Sequence, residues 1–288
     1  PCVRNKEGLI SWVVAYKTFI QTIKRERFSG IVFDYDGTLC DPSERFCGIS
    51  EQISEKLIFL ARNGILIGIA TGRGKSVRKD LQEKIPEKYW EMFTIGYYNG
   101  SDIGSLGDDE CPDKKRPVDD SIHKLKLKID ENYLISRIAT IDMKPSQISI
   151  RPETSGYLDK IQTVIQELVS SFNNGDFTIL QSGHSLDVIA AGVSKLHIVT
   201  ALKRKLMDKN NESEVLCIGD NGKWPGNDFY LLKHPFSLSV DEVSTDLTTC
   251  WNLALPGYRW VRATLFYLDV VEITGSTFIL NMSKLLKD

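Results

Sequence analysis

Two aspartates one residue apart, Asp34 and Asp36, stand where a short apolar run, Gly30-Ile-Val-Phe33, gives way to Gly37-Thr38. A carboxylate at the end of a buried strand, beside a glycine that lets backbone approach closely, suits attack on a phosphoryl group, because Asp can form an aspartyl-phosphate. A second carboxylate can protonate the leaving oxygen and later take a proton from water. A phosphate and two carboxylates repel one another without countercharge, and a hard divalent cation with oxygen ligands, Mg²⁺ by preference, supplies it.

Further along, Val215-Leu-Cys-Ile218 runs into Gly219 and Asp220, a third carboxylate for that ion, and Asp228 offers a fourth. Thr71 contributes a hydroxyl, and Gly72 and Arg73 their backbone N–H groups, to the phosphate oxygens. Lys195, at a helix start, neutralises the phosphoryl group and holds Asp34 ionised. Taken singly, these residues read as solvated loops, caps or a surface lysine. As four elements in one order, three of them at strand ends, they read as a site.

The elements that must position them follow from periodicity. Ile65-Leu-Ile-Gly-Ile-Ala70 is a second buried strand, entering Thr71-Gly-Arg-Gly74; residues 53–63 carry Leu57, Ile58, Leu60 and Ala61 at helical spacing and stop at Asn63-Gly64. A helix over about 194–208 precedes the strand at 215–218, and 236–240 forms another strand. Strands alternating with helices predict a doubly wound, Rossmann-like parallel sheet of the α/β class, with ligands beyond the carboxyl ends of its strands. Residues 8–26 place Leu9, Trp12, Val13, Tyr16, Phe19, Ile20 and Ile23 on an amphipathic helix. Packing on its own domain and contact with a partner or an upstream domain are both open for it.

The middle of the chain has another rhythm. A helix over 118–131, strands over 133–142 and 147–151, a helix over 156–172, and a hairpin of 177–181 and 185–190 around Ser182-Gly-His184 predict helix-strand-strand twice over. That is an α+β unit with an antiparallel sheet, inserted into the first between the polar stretch 101–117 and the Gly192 turn. The expected division is an N-terminal helix at 1–27, a discontinuous core at 28–111 and 192–288, and the insert at 112–191.

Composition narrows the class. The chain's 288 residues give a soft prior of two compact units, and 42% hydrophobic with 26% charged residues is ordinary for a globular protein. With 36 Lys+Arg against 38 Asp+Glu the net charge is -2, which argues against a dedicated nucleic-acid binder. Cys2, Cys40, Cys47, Cys111, Cys217 and Cys250 show no metal or disulfide spacing, so reduced thiols in a cytoplasmic protein are expected. No apolar run reaches the roughly 18 residues of a membrane span, so no membrane partner is expected. The chain opens on Pro1 rather than Met, which leaves processing and excision from a longer chain equally open.

With these residues in place, the chain resembles the haloacid dehalogenase-like (HAD) superfamily over nearly its whole length. The motifs are Phe33-Asp-Tyr-Asp-Gly-Thr-Leu39, Ala70-Thr-Gly-Arg73, Gly192-Val-Ser-Lys195, and Ile218-Gly-Asp-Asn221 continuing to Gly226-Asn-Asp228. The resemblance implies Asp34 as nucleophile, Asp36 as general acid/base, and Thr71 and Lys195 as phosphoryl stabilisers. It implies Mg²⁺ on Asp34, the Asp36 carbonyl and Asp220; Asn221 and Asp228 are further candidates for the metal set. The insert resembles the cap of sucrose-phosphate, trehalose-phosphate and mannosylglycerate-phosphate phosphatases and of phosphomannomutase, which implies a cap that closes over the core and meets the leaving group.

The seven residues Asn221-Gly-Lys-Trp-Pro-Gly-Asn227 resemble an insertion in phosphomannomutase, and Ser185-Leu-Asp187 its sugar-holding cap residues. Against that likeness, the enzyme's arginine-bearing cap loop is not matched: Arg151-Pro-Glu-Thr-Ser155 puts one arginine, a candidate substrate contact, at the end of a strand instead. Asn99 sits in an Asn-Gly turn that in the family reaches substrate, Arg73 lies beside Thr71, and His184, in the cap hairpin, suits a sugar hydroxyl or phosphate. Trp224-Pro225 is unusual beside catalytic carboxylates, and reads as a pocket wall or a loop anchor. The expected function is a Mg²⁺-dependent phosphatase of a small phosphorylated metabolite, a sugar phosphate first. The alternatives are a phosphomutase and an assembly module that keeps the fold.

Overall fold

The computed structural model describes residues 6–44, 47–113 and 115–286, so Cys2 and Lys114 lie outside the described residues. The chain forms two compact units, one of Pro1–Pro112, Lys195–Lys223 and Asp228–Asp288, the other of Asp113–Ser194 and Trp224–Asn227.

In chain order the first unit contains α1 (Lys6–Arg25), β1 (Phe28–Asp34), α2 (Glu51–Arg62), β2 (Leu66–Ala70), α3 (Lys75–Lys84), β3 (Phe93–Tyr97) and β4 (Asp102–Ser105). The second contains α4 (Asp120–Asp130), α5 (Tyr133–Ile138), β5 (Ala139–Lys144), β6 (Gln147–Pro152), α6 (Leu158–Ser170), β7 (Phe177–Gln181) and β8 (Leu186–Ala190). The chain then returns to the first unit with α7 (Leu196–Met207), β9 (Glu214–Asn221), β10 (Ser237–Glu242), α8 (Trp260–Asp269), β11 (Val271–Thr274) and β12 (Thr277–Leu280).

The first unit's sheet runs β10-β9-β1-β2-β3-β4, parallel except for the β4 edge, and β12 pairs antiparallel with β1 through Phe28 and Phe278. Period-two alternation divides its apolar residues between two layers. Ile31 and Phe33 of β1 and Leu216 and Ile218 of β9 pack with Leu57 and Leu60 of α2 and Ala263 and Tyr267 of α8. Val32, Val215 and Cys217 pack on the other face with Ile198, Val199, Leu202 and Leu206 of α7. Each such aliphatic side chain contributes roughly 1.5–3 kcal/mol by leaving water, which makes the centre of this sheet a firm base for what its strand ends carry.

One face of α1 packs on this unit: Phe19 and Ile23 are buried, and Trp12, Tyr16 and Phe19 surround Trp251 at ring separations of 5.6, 5.5 and 5.9 Å. Its other side leaves Leu9, Ile10, Val13 and Val14 exposed. No helix among the described residues is long and apolar enough to cross a membrane.

The second unit is an antiparallel sheet, β5-β6-β8-β7, whose Ile148, Ile150, Leu186 and Val188 form one core with Ile122, Leu125 and Ile129 of α4 and Ile161 and Ile165 of α6. One expectation fails here. The stretch 133–142, read as one strand, begins as a helix, α5, and becomes extended only at Ala139. Asn132 caps that helix by accepting from the N–H groups of Leu134 and Ile135, both at 3.1 Å, and Ile135 is buried. A good N-cap and one buried anchor outweigh the strand bias of a short run containing Ile135 and Ile138. Trp224–Asn227, expected within the core, groups with the second unit because Gln181 N–H donates to Pro225 O at 2.8 Å and Asn227 N–H to Gln181 O at 3.1 Å.

Candidate active site

The carboxyl end of β1 delivers Asp34, and a tight turn carries Asp36 just beyond it. Gly37 takes φ +84°, and a Cβ there would run into the Asp220 carboxylate, so glycine is what lets the ends of β1 and β9 close on each other. At the end of β9, a Cβ on Gly219 would lie 2.7 Å from Asp228 Oδ2. The same oxygen accepts from the backbone N–H of Asp220 at 2.9 Å and of Asn221 at 3.3 Å. Asp228 thus ties its loop back onto the strand.

Lys195, immediately before α7, is buried between two carboxylates, with Nζ 2.5 Å from Asp34 Oδ1 and 2.6 Å from Asp228 Oδ1. Burial raises the pKa of Asp34 well above the carboxylate range, with the Asp228 charge adding to it, while Lys195 opposes the rise. Asp220 is raised the same way, by burial and then by Asp228 and Asp34. Burial also acts upward on Asp228, but Lys195 and the bonds it accepts outweigh it, and its pKa is lowered. Lys195 itself is raised: burial works against its charge, and Asp228 and Asp34 prevail. The ammonium is therefore charged, shared by two acids and dry.

Asp34, Asp220 and Asp228 bring carboxylate oxygens within 4.8 Å of one another. Asp34 Oδ2 and Asp220 Oδ1 are buried with no hydrogen-bond partner. Two orphaned acceptors of like charge facing one spot are a poor arrangement by themselves and a good one for a hard cation, so the donor set fits Mg²⁺. Both Asp228 oxygens are already engaged by Lys195 and by backbone N–H groups, which makes Asp34 and Asp220 the fitting side-chain donors. When bound, such an ion offsets the charge that a phosphoryl group brings.

Thr71 and Asn99, both buried, come from the ends of β2 and β3 and hold each other through Asn99 N–H to Thr71 O at 2.8 Å. Tyr98 and Asn99 both have left-handed backbones, φ 48° and 59°, and Tyr98 N–H bonds Arg73 O at 3.1 Å. These two bonds join the loops into one lip. Within it the Arg73 N–H, expected to meet phosphate, donates to Thr71 Oγ1 at 3.0 Å.

The Arg73 side chain takes Asp36. Nε donates to Oδ2 at 2.9 Å and Nη2 pairs with Oδ1, a two-point fork that holds the carboxylate plane. Behind it stands a residue that sequence reasoning missed: Asp80 of α3 lies 3.9 Å from Arg73 Nη1 and accepts from Tyr35 Oη at 3.1 Å. On an amphipathic helix Asp80 looks like any solvent-facing acid, so no local signal marks it.

The first unit thus gathers Asp34, Asp36, Thr71, Gly72, Arg73, Asn99, Lys195, Asp220, Asn221 and Asp228 at the carboxyl edge of its sheet. Arg151, His184, Ser185 and Asp187 belong to the second unit. There Ser182 shapes the hairpin tip, its Oγ accepting from the N–H of His184 at 3.3 Å and of Ser185 at 3.1 Å. His184 is exposed, and Asp187 is buried on β8 opposite Ser149 and Leu180. Arg151, exposed, pairs weakly with Asp142 at 4.0 Å.

Comparison with known proteins adds the following. Residues 31–144 match the model of a family described as haloacid dehalogenase-like hydrolase. No curated protein sequence matches significantly. Among solved structures, the chain is similar to an N-terminally truncated, IMP-bound IMP-nucleotidase from Plasmodium falciparum, with 17% identity and TM-score 0.54, over 78% of this chain and 66% of that one. It is similar to the C-terminal domain of trehalose-6-phosphate phosphatase from C. albicans, with 15% identity and TM-score 0.57, over 89% and 94%. It is also similar to a HAD subclass IIB sugar phosphatase, with 16% identity and TM-score 0.53, over 73% and 86%.

Proposed function

We propose that the chain is a haloacid dehalogenase-like phosphoric monoester hydrolase with an inserted cap, and within that class a Mg²⁺-dependent phosphatase of a small phosphorylated metabolite, a sugar phosphate first; the family match over residues 31–144 and the fold shared with a sugar phosphatase support this reading. The observation that carries the reading is the buried Lys195 bound to Asp34 Oδ1 while Asp34 Oδ2 and Asp220 Oδ1 stand orphaned beside it. Their chemistry fits a hard cation beside a buried carboxylate that a lysine holds in place.

Asp34 attacks phosphorus in line, forming its P–O bond as the ester P–O bond breaks, and Asp36 gives the departing alkoxide a proton. Asp36, now a carboxylate, takes a proton from the water that attacks the aspartyl-phosphate, and Asp34 and inorganic phosphate are released. Lys195 opposes the upward pull of burial on Asp34 and holds its carboxylate in place for the attack. Arg73 fixes the Asp36 carboxylate, and Thr71 with the Asn99 turn frames the phosphate oxygens. The sugar phosphate assignment is supported by the second unit's two helix-strand-strand repeats and by its hairpin bearing Ser182, His184 and Ser185. The wide spacing of the cysteines along the sequence, with no disulfide or metal pattern, supports a reducing, cytoplasmic setting.

A panel of phosphate esters assayed for phosphate release with Mg²⁺ tests this, with Asp34→Asn as the blank. Release from hexose phosphates that vanishes in the blank is expected; no release from any ester, or an unaffected blank, defeats the proposal. Isomer exchange driven by a bisphosphate activator, in place of net release, would favour the phosphomutase reading.

A further inference from the structure

The fork of Arg73 on Asp36 does not stand alone. Asp36 keeps 28% of its side chain in water, and an arginine side chain gives up much rotamer freedom when it is fixed. One partly exposed carboxylate is a poor means of immobilising it. Two side chains of the same unit close on that guanidinium. Tyr35, buried between Asp34 and Asp36 in the chain, lays its ring 5.3 Å from Arg73 Cζ. Asp80 Oδ2 lies 3.9 Å from Arg73 Nη1, and the same oxygen accepts from Tyr35 Oη at 3.1 Å. The backbone of Tyr35 is fixed in turn, its carbonyl accepting from the N–H groups of Leu39 and Cys40, both at 3.0 Å.

The helix α3 does not need the Asp80 carboxylate for its own packing. Val77 and Leu81 are buried and already anchor it, and Asp80, three residues beyond the first and beside the second, lies on the flank of that face with its side chain 23% exposed. A carboxylate there gives up hydration and calls for polar partners. Tyr35 and Arg73, which it meets, both belong to the loops that carry the reacting groups.

We propose that Asp80 is a positioning residue for proton transfer to the leaving alcohol: with Tyr35 it sets the Arg73 guanidinium, and Arg73 aims the Asp36 carboxyl. The inference deepens the phosphatase reading and rests on it for the role of Asp36 as acid. Asp80 itself touches no reacting atom. Without its charge, the Tyr35 hydroxyl has a weaker acceptor and Arg73 has one carboxylate in place of two, so the guanidinium and the Asp36 plane it holds are free to turn together.

Leaving-group dependence separates this role from a structural one. A p-nitrophenolate departs without a proton and an alkoxide does not, so a misplaced acid is felt by alkyl esters. The quantity measured is kcat/KM with Mg²⁺, which covers the steps up to departure of the leaving group. The substrates are p-nitrophenyl phosphate and the sugar phosphate that the native chain hydrolyses fastest. The proteins are the native chain, Asp80→Asn, Asp36→Asn and the double variant. Asp80→Asn is expected to lower kcat/KM about tenfold for the sugar phosphate and less than about threefold for p-nitrophenyl phosphate. In the Asp36→Asn background its further cost should be less than about twofold, because the group it positions is gone.

Equal losses on the two esters, no loss, or a tenfold loss that persists without the Asp36 carboxyl overturns the proposal. Tyr35→Phe keeps the ring and removes the bond to Asp80, and is expected to show the same contrast at about threefold. Should Asp80→Asn fail to fold, an equal effect of Tyr35→Phe on both esters, or none, overturns the proposal in its place. Native turnover without the contrast defeats the positioning role alone. A native chain that hydrolyses no sugar phosphate defeats the phosphatase reading, and this role falls with it.

Discussion

Lys195 Nζ lies 2.5 Å from Asp34 Oδ1, with the two side chains only 1% and 2% exposed, and it reaches Asp228 as well. A buried ammonium between two acids is weak evidence for stability as such, but removing it strands two charges in a dry place. Lys195→Met is therefore expected to cost about 3–5 kcal/mol of unfolding free energy in urea denaturation, besides abolishing turnover. Adding Asp228→Asn to that variant should recover part of the loss. Strictly additive costs would show that the pair is not energetically coupled.

Arg73 separates two roles by kinetics. Because its guanidinium grips Asp36 at two points, Arg73→Lys keeps the charge and loses the fork. The expected result is a fall in kcat of about 10–100-fold with a smaller change in KM, as for a misplaced proton donor. A raised KM with unchanged kcat would return Arg73 to substrate binding.

The orphaned oxygens of Asp34 and Asp220 predict a thermodynamic response to cation. With Mg²⁺ at 100 times its Kd, stability should rise by about 2.7 kcal/mol, which moves the thermal midpoint up by several degrees. Asp220→Asn should abolish the shift, and chelator should reverse it in the native protein. A midpoint indifferent to Mg²⁺ would remove the ion from the site.

His234 supplies a pH dependence of its own. It is buried, with Phe236 N–H donating to its Nδ1 at 3.3 Å, and burial holds its pKa below 6.5. The unfolded chain therefore binds a proton first as pH falls. The stability this group contributes is full above about pH 6.5 and is lost as pH drops through the lowered folded value. Chemical denaturation at pH 7.5 and 5.5 should show a smaller acid loss in His234→Gln than in the native chain. Equal losses would mean that this imidazole is not a source of the acid sensitivity.

Much of the core was legible because its signals are local. An apolar run of four to six residues ending in Asp, Thr-Gly or Gly-Asp marks a buried strand and its polar exit within one window. The segment at 133–138 was misread for the same reason: Ile and Ser there suit either state, and the Asn132 cap with the buried Ile135 decided it. The edge strand β4 and the terminal α8, β11 and β12 went unassigned because neither periodicity stands out in such short elements.

The sequence by itself determined which groups are present and where they stand: Asp34, Asp36, Thr71 and Asp220 at strand ends, Asp228 on the loop beyond, and Lys195 before a helix. Only the tertiary structure decided how they share charge. Lys195 meets Asp34 across 161 residues and Arg73 meets Asp36 across 37, pairings for which no sequence window carries a signal. Partner choice here depends on which side chains burial brings within hydrogen-bond reach. That gave Asp228 to Lys195 and the backbone, set the Arg73 side chain on Asp36, and left one oxygen each of Asp34 and Asp220 without a hydrogen-bond partner.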